Sequence, residues 1–462
     1  MSAFSIPPPK KSDEPYLVPS FQELIRSLNL RNDVVELGSL ITSWDRGDGP
    51  RDGYYTDDLE NGVVFLRINN LVEHTVDYSD AKRITRVVHE TDLRRTQSKP
   101  GDLIFAISGT KQNLGTVAIV PQSLRECNLN SALVNLRIDE SRLSKEFFCW
   151  FFESQTARTQ LDFIGKGAAQ NNINNAEISE ILIPLPSSPK QRELVAAMDA
   201  ARAERRAKLA EADALLAGLD GFLVATLGLT PPPEDARKVF AVRSRNVPQR
   251  FDPHFYLPSL MQNTRMLAEF GAEPLGTLVS FSDEVWKPAA HDNPTFRYIE
   301  ISDVNPQTGE ARAETRPVAE APSRARMAVR TNDIIVSLTR PHHGSIAQIT
   351  PELNGCVAST GFSVLRNVSE RMNREYLWCV LRTKMSLKQM LQRASGGNYP
   401  AITEQELAKV LLPVPKPAVQ ETIAAEAGRR REEARGLRAE ADAGWQAAKR
   451  WFEEQLLGAA HP

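Results

Sequence analysis

Gly167-Ala168-Ala169-Gln170-Asn171-Asn172-Ile173, then Pro184-Leu185-Pro186 and Gln191, is answered later in the chain. The answer is Gly396-Gly397-Asn398-Tyr399-Pro400-Ala401-Ile402, then Pro413-Val414-Pro415 and Gln420. Gly396 follows Gly167 by 229 residues, Pro413 follows Pro184 by 229, and Gln420 follows Gln191 by 229. A register held without a gap over such a stretch marks an internal duplication, and the fold is read outward from it.

Downstream of each copy the hydrophobic period becomes helical. Between 190 and 227 there is no proline, and apolar residues recur at Leu194, Met198, Ala201, Leu209, Ala212, Leu216, Leu219 and Leu223. Spacings of three and four place them on one helical seam. The step from Ala201 through Arg205 to Leu209 is a local 11-residue period, which predicts little left-handed supercoil there. Thirty-eight residues at ~1.5 Å each give a helix of about 57 Å. The second seam runs through Ile423, Ala427, Ala434, Leu437, Ala441, Trp445, Ala448 and Phe452, on a helix expected over 417–457. Both seams are buried most simply by pairing the two helices. The expected pairing positions are Leu194, Met198, Leu209, Leu216 and Leu223 against Ile423, Leu437, Trp445 and Phe452.

Upstream of each copy lie short apolar runs bounded by turn residues, in matched order. Val63-Val64-Phe65-Leu66-Arg67-Ile68 pairs with 296–301, 101–107 with 332–338, 115–120 with 344–349, and 133–138 with 362–367. Gly101-Asp102 and Asn332-Asp333 open equivalent strands. Single helices are expected over 147–161 and 376–391, with about five to eight strands per half. The fold class is α+β: two tandem domains of about 180 residues, each followed by a long helix. The expected layout is a disordered tail at 1–12, domain one at 13–187, helix one at 188–229, a proline-rich linker at 230–249, domain two at 250–416, and helix two at 417–457.

Composition narrows the function. The chain has 462 residues and a formal net charge of −2, so a basic surface must be local or partly supplied by a partner. No run approaches the ~18 apolar residues of a membrane span, and the N-terminus lacks a secretory apolar region. The four cysteines form no CxxC pair, which argues against a zinc site or a disulfide framework and favours the cytoplasm. There is no P-loop, no G-x-G-x-x-G nucleotide motif, no H-E-x-x-H and no G-x-S-x-G. No catalytic residue, metal ligand or cofactor site is therefore assigned. Asp252-Pro253-His254-Phe255 looks superficially like an amino-methyltransferase loop, but its third position is wrong. His342 and His343 are adjacent, and adjacent residues of an extended chain face opposite ways, which disfavours a metal pair.

Basic and amide side chains, the groups that hold phosphates and read base edges, sit at matched loop positions. In copy one these are Arg83, Arg86, Arg94, Arg95 and Lys99 before the central strand, Thr110, Lys111, Gln112 and Asn113 after it, and Lys166 beside the glycine-rich stretch. In copy two they are Arg316, Arg324, Arg326 and Arg330, then Arg340, His342 and His343, with Asn398 and Tyr399 in the second glycine-rich stretch. Similar scaffolds with different loop chemistry point to two recognition surfaces for two different ligands.

With these motifs in hand, the chain resembles the specificity subunit of type I restriction–modification systems. A Gly/Asn-rich segment, an isoleucine, a hydrophobic stretch ending in Pro-x-Pro, a glutamine and a long helix occur twice, in that family's order. The Gly101-Asp102-Leu103-Ile104 strand and the Arg250-Phe251-Asp252 restart belong to the same resemblance, which spans about 13–457. Asn332 stands where the family has glycine, and Tyr399-Pro400 replace the asparagine run. The resemblance implies a non-catalytic reader of double-stranded DNA. Each domain would contact one half of a bipartite site, with the helices forming an antiparallel coiled coil that spaces them. It also implies two methyltransferase subunits as partners and a restriction/translocase subunit able to join them. The competing reading is a protein–protein scaffold, two binding domains spaced by a coiled coil without nucleic acid.

Overall fold

The computed structural model describes residues 18–49, 51, 53–165, 171–233, 239–242, 251–290 and 293–458. The tail expected over 1–12, Lys166 with 167–170, Arg250 and much of 230–249 lie outside the described residues. The chain divides into two compact units. The first runs to Arg206 and resumes at Ala441; the second is 207–440. The division crosses both long helices, Ser188–Thr226 and Pro417–Leu457. Each unit therefore holds one α+β domain, the start of the helix that follows it, and the end of the other long helix.

Each domain is built on two sheets with a shared plan. In the first unit Ile41–Arg46, Leu133–Ile138, Leu103–Ala106 and Val117–Ile119 lie side by side in that order. In the second unit the order is Ser280–Phe281, Phe362–Arg366, Ile334–Ser337 and Ile346–Gln348. The register repeats: Leu133 lies opposite Ala106, and Phe362 opposite Ser337. The central strands Leu103–Ala106 and Ile334–Ser337 are buried at every residue, which is why they read as continuous apolar runs rather than alternating ones. The second sheets also correspond, with Val63–Leu66 beside Cys127–Leu129 and Thr295–Ile299 beside Val357–Ser359. Short strands are more numerous than expected, because two-residue edge strands carry no readable alternation.

Gly101 and Asn332 explain one departure between the copies. Both sit in the left-handed region, at φ 83° and 75°. After glycine, asparagine tolerates that backbone best, so Asn332 keeps the turn that delivers Asp333. The helices expected over 147–161 and 376–391 are each two helices. Ser154 and Thr383 break them, taking extended backbone and capping Gln155–Ile164 and Lys384–Arg393 with their hydroxyls. An N-cap inside an apolar stretch is easily hidden by its neighbours.

Within each unit the long helices run antiparallel. In the first, Leu194 and Met198 share a core with Phe452 and Leu456, and Trp445 packs against its edge. In the second, Leu223 and Val224 share a core with Ile423. Ala212, Ala427, Ala434 and Ala441 are buried in the seams, whereas Leu209, Leu216 and Leu437 are half-buried. Arg205 meets Asp442 in the first unit, and Arg438 meets Asp213 in the second.

The duplicated Pro-x-Pro and glutamine motif is a buried latch. Gln191 accepts from the Ser144 N–H and donates to the carbonyls of Arg142 and Pro186. Gln420 accepts from the Asn373 N–H and donates to Arg371 and Pro415. Every partner is shifted by 229 residues. Gln160 and Gln389 form a second pair of latches, each holding both backbone groups of one residue, Leu182 and Leu411 respectively. The side chains thus fix the last edge strand and the start of the long helix together.

Candidate nucleic-acid interface

The central strand of each domain ends in a loop that meets the glycine-rich stretch. Ser108 and Gly109 pair with Asn172 and Asn171, and Thr339 bridges to Ala401. Asn171-Asn172 and Ala401 of the duplicated stretch therefore border the candidate interface. The stretch's distance in sequence from the loop, more than sixty residues, hides this from local pattern reading.

In the first unit Thr110, Lys111, Gln112 and Asn113 are exposed in a turn closed by Asn113 and Leu114 N–H groups donating to the Thr110 carbonyl. Arg94, Arg95 and Lys99 are exposed and make no ion pair among the described residues. Arg83 and Arg86 are engaged within the protein. Arg83 donates to the Gly62 carbonyl at 2.8 Å, and Arg86 pairs with Glu126 at 2.8 Å, which raises its pKa. Lys166 lies outside the described residues.

One cluster escaped the sequence reading. Arg67 donates to the Tyr55 hydroxyl at 3.3 Å, and Lys82 Nζ stands 4.9 Å from the Tyr55 ring centroid. A side chain at Gly109 would touch Ile68 and Asn113, so the turn carrying Arg67 borders the 110–113 loop. The three residues are scattered over 28 positions, in one edge strand and two connections, and no local spacing announces them. In the second unit Arg67 is matched by Glu300, which pairs with Arg316 at 3.3 Å. This edge is basic in one unit and internally neutralised in the other.

The second unit gathers its candidates elsewhere. Arg340, His342, His343, Asn398 and Tyr399 come together in one loop cluster, with Arg340 stacked 4.3 Å from the Tyr399 ring centroid. The His342 and His343 rings meet edge to face at 4.5 Å. Burial first, then His343, Arg340 and His254, lower the His342 pKa and favour its neutral form. Arg324 and Arg326 are exposed around the strand Ala325–Ala328, where Arg326 donates to the Ser323 carbonyl. Arg330 is tied to Glu284 at 2.8 Å. Arg366 bridges Glu284 and the buried Asp333 at 2.6 and 2.7 Å, and these hydrogen bonds raise its pKa while Arg330 and Arg366 lower that of Glu284. In the first unit the equivalent aspartate, Asp102, accepts instead from the neutral Asn135 at 2.8 Å.

No group of three His, Cys, Asp or Glu that could hold a metal occurs among the described residues. No helix there is long and apolar enough to cross a membrane. Burial pushes the Cys127 and Cys379 thiols up to about 12, so neither is a thiolate nucleophile at neutral pH.

The chain thus holds two scaffolds of one plan with different polar loops, each packed against segments of both long helices. The model of the type I restriction modification DNA specificity domain matches residues 33–211. The specificity subunit of the Escherichia coli EcoBI type I restriction enzyme is 22% identical over 139 residues, 30% of this chain and 28% of that protein. The HindI specificity subunit of Haemophilus influenzae is 24% identical over 182 residues, 39% of this chain and 31% of that protein. The matched stretches thus span less than a third of these relatives. A solved structure described as concerning complex assembly and conformational transition of the type I R-M system shares the fold. It has a TM-score of 0.50 at 18% identity and covers 92% of this chain and 96% of its own. Residues 33–211 thus match the model of that specificity domain, and parts of the chain are similar to type I specificity subunits.

Proposed function

We propose that this chain is the DNA-reading subunit of a type I restriction–modification complex and is not itself catalytic. Each domain reads one half of a bipartite duplex site, and the paired helices set the gap. The match to the specificity-domain model over 33–211 carries the proposal, because the central strand order of that region recurs in the second unit. The loops differ where the scaffold does not, as expected of two readers with two targets. Methylation of adenine and cleavage belong to partner subunits, and the chain works in the cytoplasm.

The repeat also supports two copies of one methyltransferase partner. A cavity of about 230 Å³ in the first unit is lined by Glu153, Gln155, Met198 and Phe452, among others. One of about 310 Å³ in the second unit is lined by Arg382, Lys384, Ala427 and Leu223. These residues correspond through the same 229-residue shift, so each unit offers a recess at an equivalent place beside the long helices.

Duplex binding over a salt series, with and without the partner methyltransferase, tests the reading. Sequence-selective binding whose logarithm falls steeply and linearly with the logarithm of salt is expected. A protein that selects no duplex in either condition is not a DNA reader, and the scaffold reading then takes its place.

A further inference from the structure

One arginine of the second unit is held in a form that its sequence context disfavours. Arg340 has φ 46° and ψ 52°, in the left-handed region, and is followed by Pro341. A residue before proline is driven towards extended backbone, and a bulky side chain at positive φ is strained. Such an outlier persists only where its surroundings hold it.

Here several contacts do so. The Arg340 N–H donates to the Pro400 carbonyl at 2.7 Å, beside the Thr339–Ala401 bridge. Its Nη2 donates to the Asn398 carbonyl at 3.3 Å, and its guanidinium lies on Tyr399. No carboxylate pairs with Arg340 among the described residues, whereas Arg330, Arg366, Arg371 and Arg393 of the same unit all reach one. Tyr399 is 71% exposed, so the stack stands at the surface. The result is a planar fork that is oriented without being neutralised, with its remaining N–H groups unspent. A phosphate contact needs no such orientation, since a point charge on a flexible stem serves it. A fixed plane with paired N–H donors matches the two acceptors, O6 and N7, that guanine alone presents in the major groove.

We infer that Arg340 reads a guanine in the half-site bound by the second unit, donating two N–H groups to O6 and N7 while Tyr399 fixes the guanidinium plane. This rests on the DNA reading above and adds to it a residue, a base and a half-site.

The test uses the full chain with its partner methyltransferase and a randomised duplex library, sequenced after binding. Wild type, Arg340→Ala, Arg340→Lys and Tyr399→Ala are compared, with Lys111→Ala as the first-unit control and thermal unfolding as the check on folding. The expected result is a bipartite consensus in which Arg340→Ala and Arg340→Lys each lose about 10- to 100-fold preference at one guanine of one half-site, with the other half-site intact. Arg340→Lys keeps the charge and so keeps the salt slope. Tyr399→Ala relaxes the same position by a smaller factor. Uniform weakening across all positions with a shallower salt slope would make Arg340 a phosphate contact and overturn the inference, as would an unchanged consensus. A wild type that enriches no sequence removes the DNA reading itself and this inference with it.

Discussion

The two units differ most where they could bind something and least where they are joined to the helices. Gln191 and Gln420 hold the same backbone groups at the same spacing, but the neighbouring aspartates are met differently: Asp102 by the neutral Asn135, Asp333 by the cationic Arg366. At the loops the divergence is complete, Thr110-Lys111-Gln112-Asn113 against Arg340-Pro341-His342-His343. A latch must reproduce one backbone geometry twice, so its side chain cannot drift. A loop whose backbone is already anchored can change its chemistry freely, and a reader of a non-repeating target gains from doing so.

The comparison can be broken at the aspartates. Asp333 is almost fully buried, and removing its partner leaves a desolvated carboxylate. Arg366→Ala should therefore cost about 3 kcal/mol or more in chemical denaturation. Asn135→Ala, which removes a neutral donor, should cost only about 1 kcal/mol. Equal losses would mean that the ionic version is no more than a substitute for the amide.

The latches sharpen the comparison in the opposite direction. Gln191→Ala and Gln420→Ala each strand one N–H and two carbonyls and should each cost about 2–3 kcal/mol. The two values should agree within about 0.5 kcal/mol, because each side chain meets the same three backbone groups. A large inequality would show that the symmetry of the hydrogen bonds is not a symmetry of energies.

The smallest effect concerns two helix caps. Glu453 of the second long helix accepts from Thr156 Oγ1 at 2.7 Å and from the Gln155 N–H. In the second unit Asp220 of the first long helix accepts from the Lys384 N–H, the residue equivalent to Gln155, at 2.8 Å. Burial raises the Glu453 pKa above its ordinary value near 4.5. A raised folded value contributes stability that is complete below about 4.5 and is lost as pH rises through the folded pKa. Glu453 should therefore contribute a shallow decline in stability over that window in chemical denaturation, which Glu453→Gln abolishes. A decline that survives Glu453→Gln would assign it to another group.

Much of this molecule was legible before its fold was seen. The 229-residue register announced two copies, and the period of three and four announced Ser188–Thr226 and Pro417–Leu457, because hydrophobic spacing reports directly on which face is buried. The aspartate turns were legible because positive φ narrows the choice to glycine or asparagine. The breaks at Ser154 and Thr383 were not, since a cap competes with the apolar residues around it. Nor was the cluster of Tyr55, Arg67 and Lys82, or the meeting of Arg340 with Tyr399. The first depends on Tyr55–Thr56 and Val63–Leu66 both pairing with Arg83–Ile84, the second on two loops far apart in the chain, and neither is settled by any one segment. The same holds for the candidate list itself: Arg83, Arg86 and Arg330 carry the right chemistry but spend it on Gly62, Glu126 and Glu284. Sequence by itself determined the duplication, the long helices and the kinds of side chain on the loops, because these follow from local period and composition. Only the tertiary structure decided which cations are neutralised and which stand ready, because that turns on partners brought near by folding.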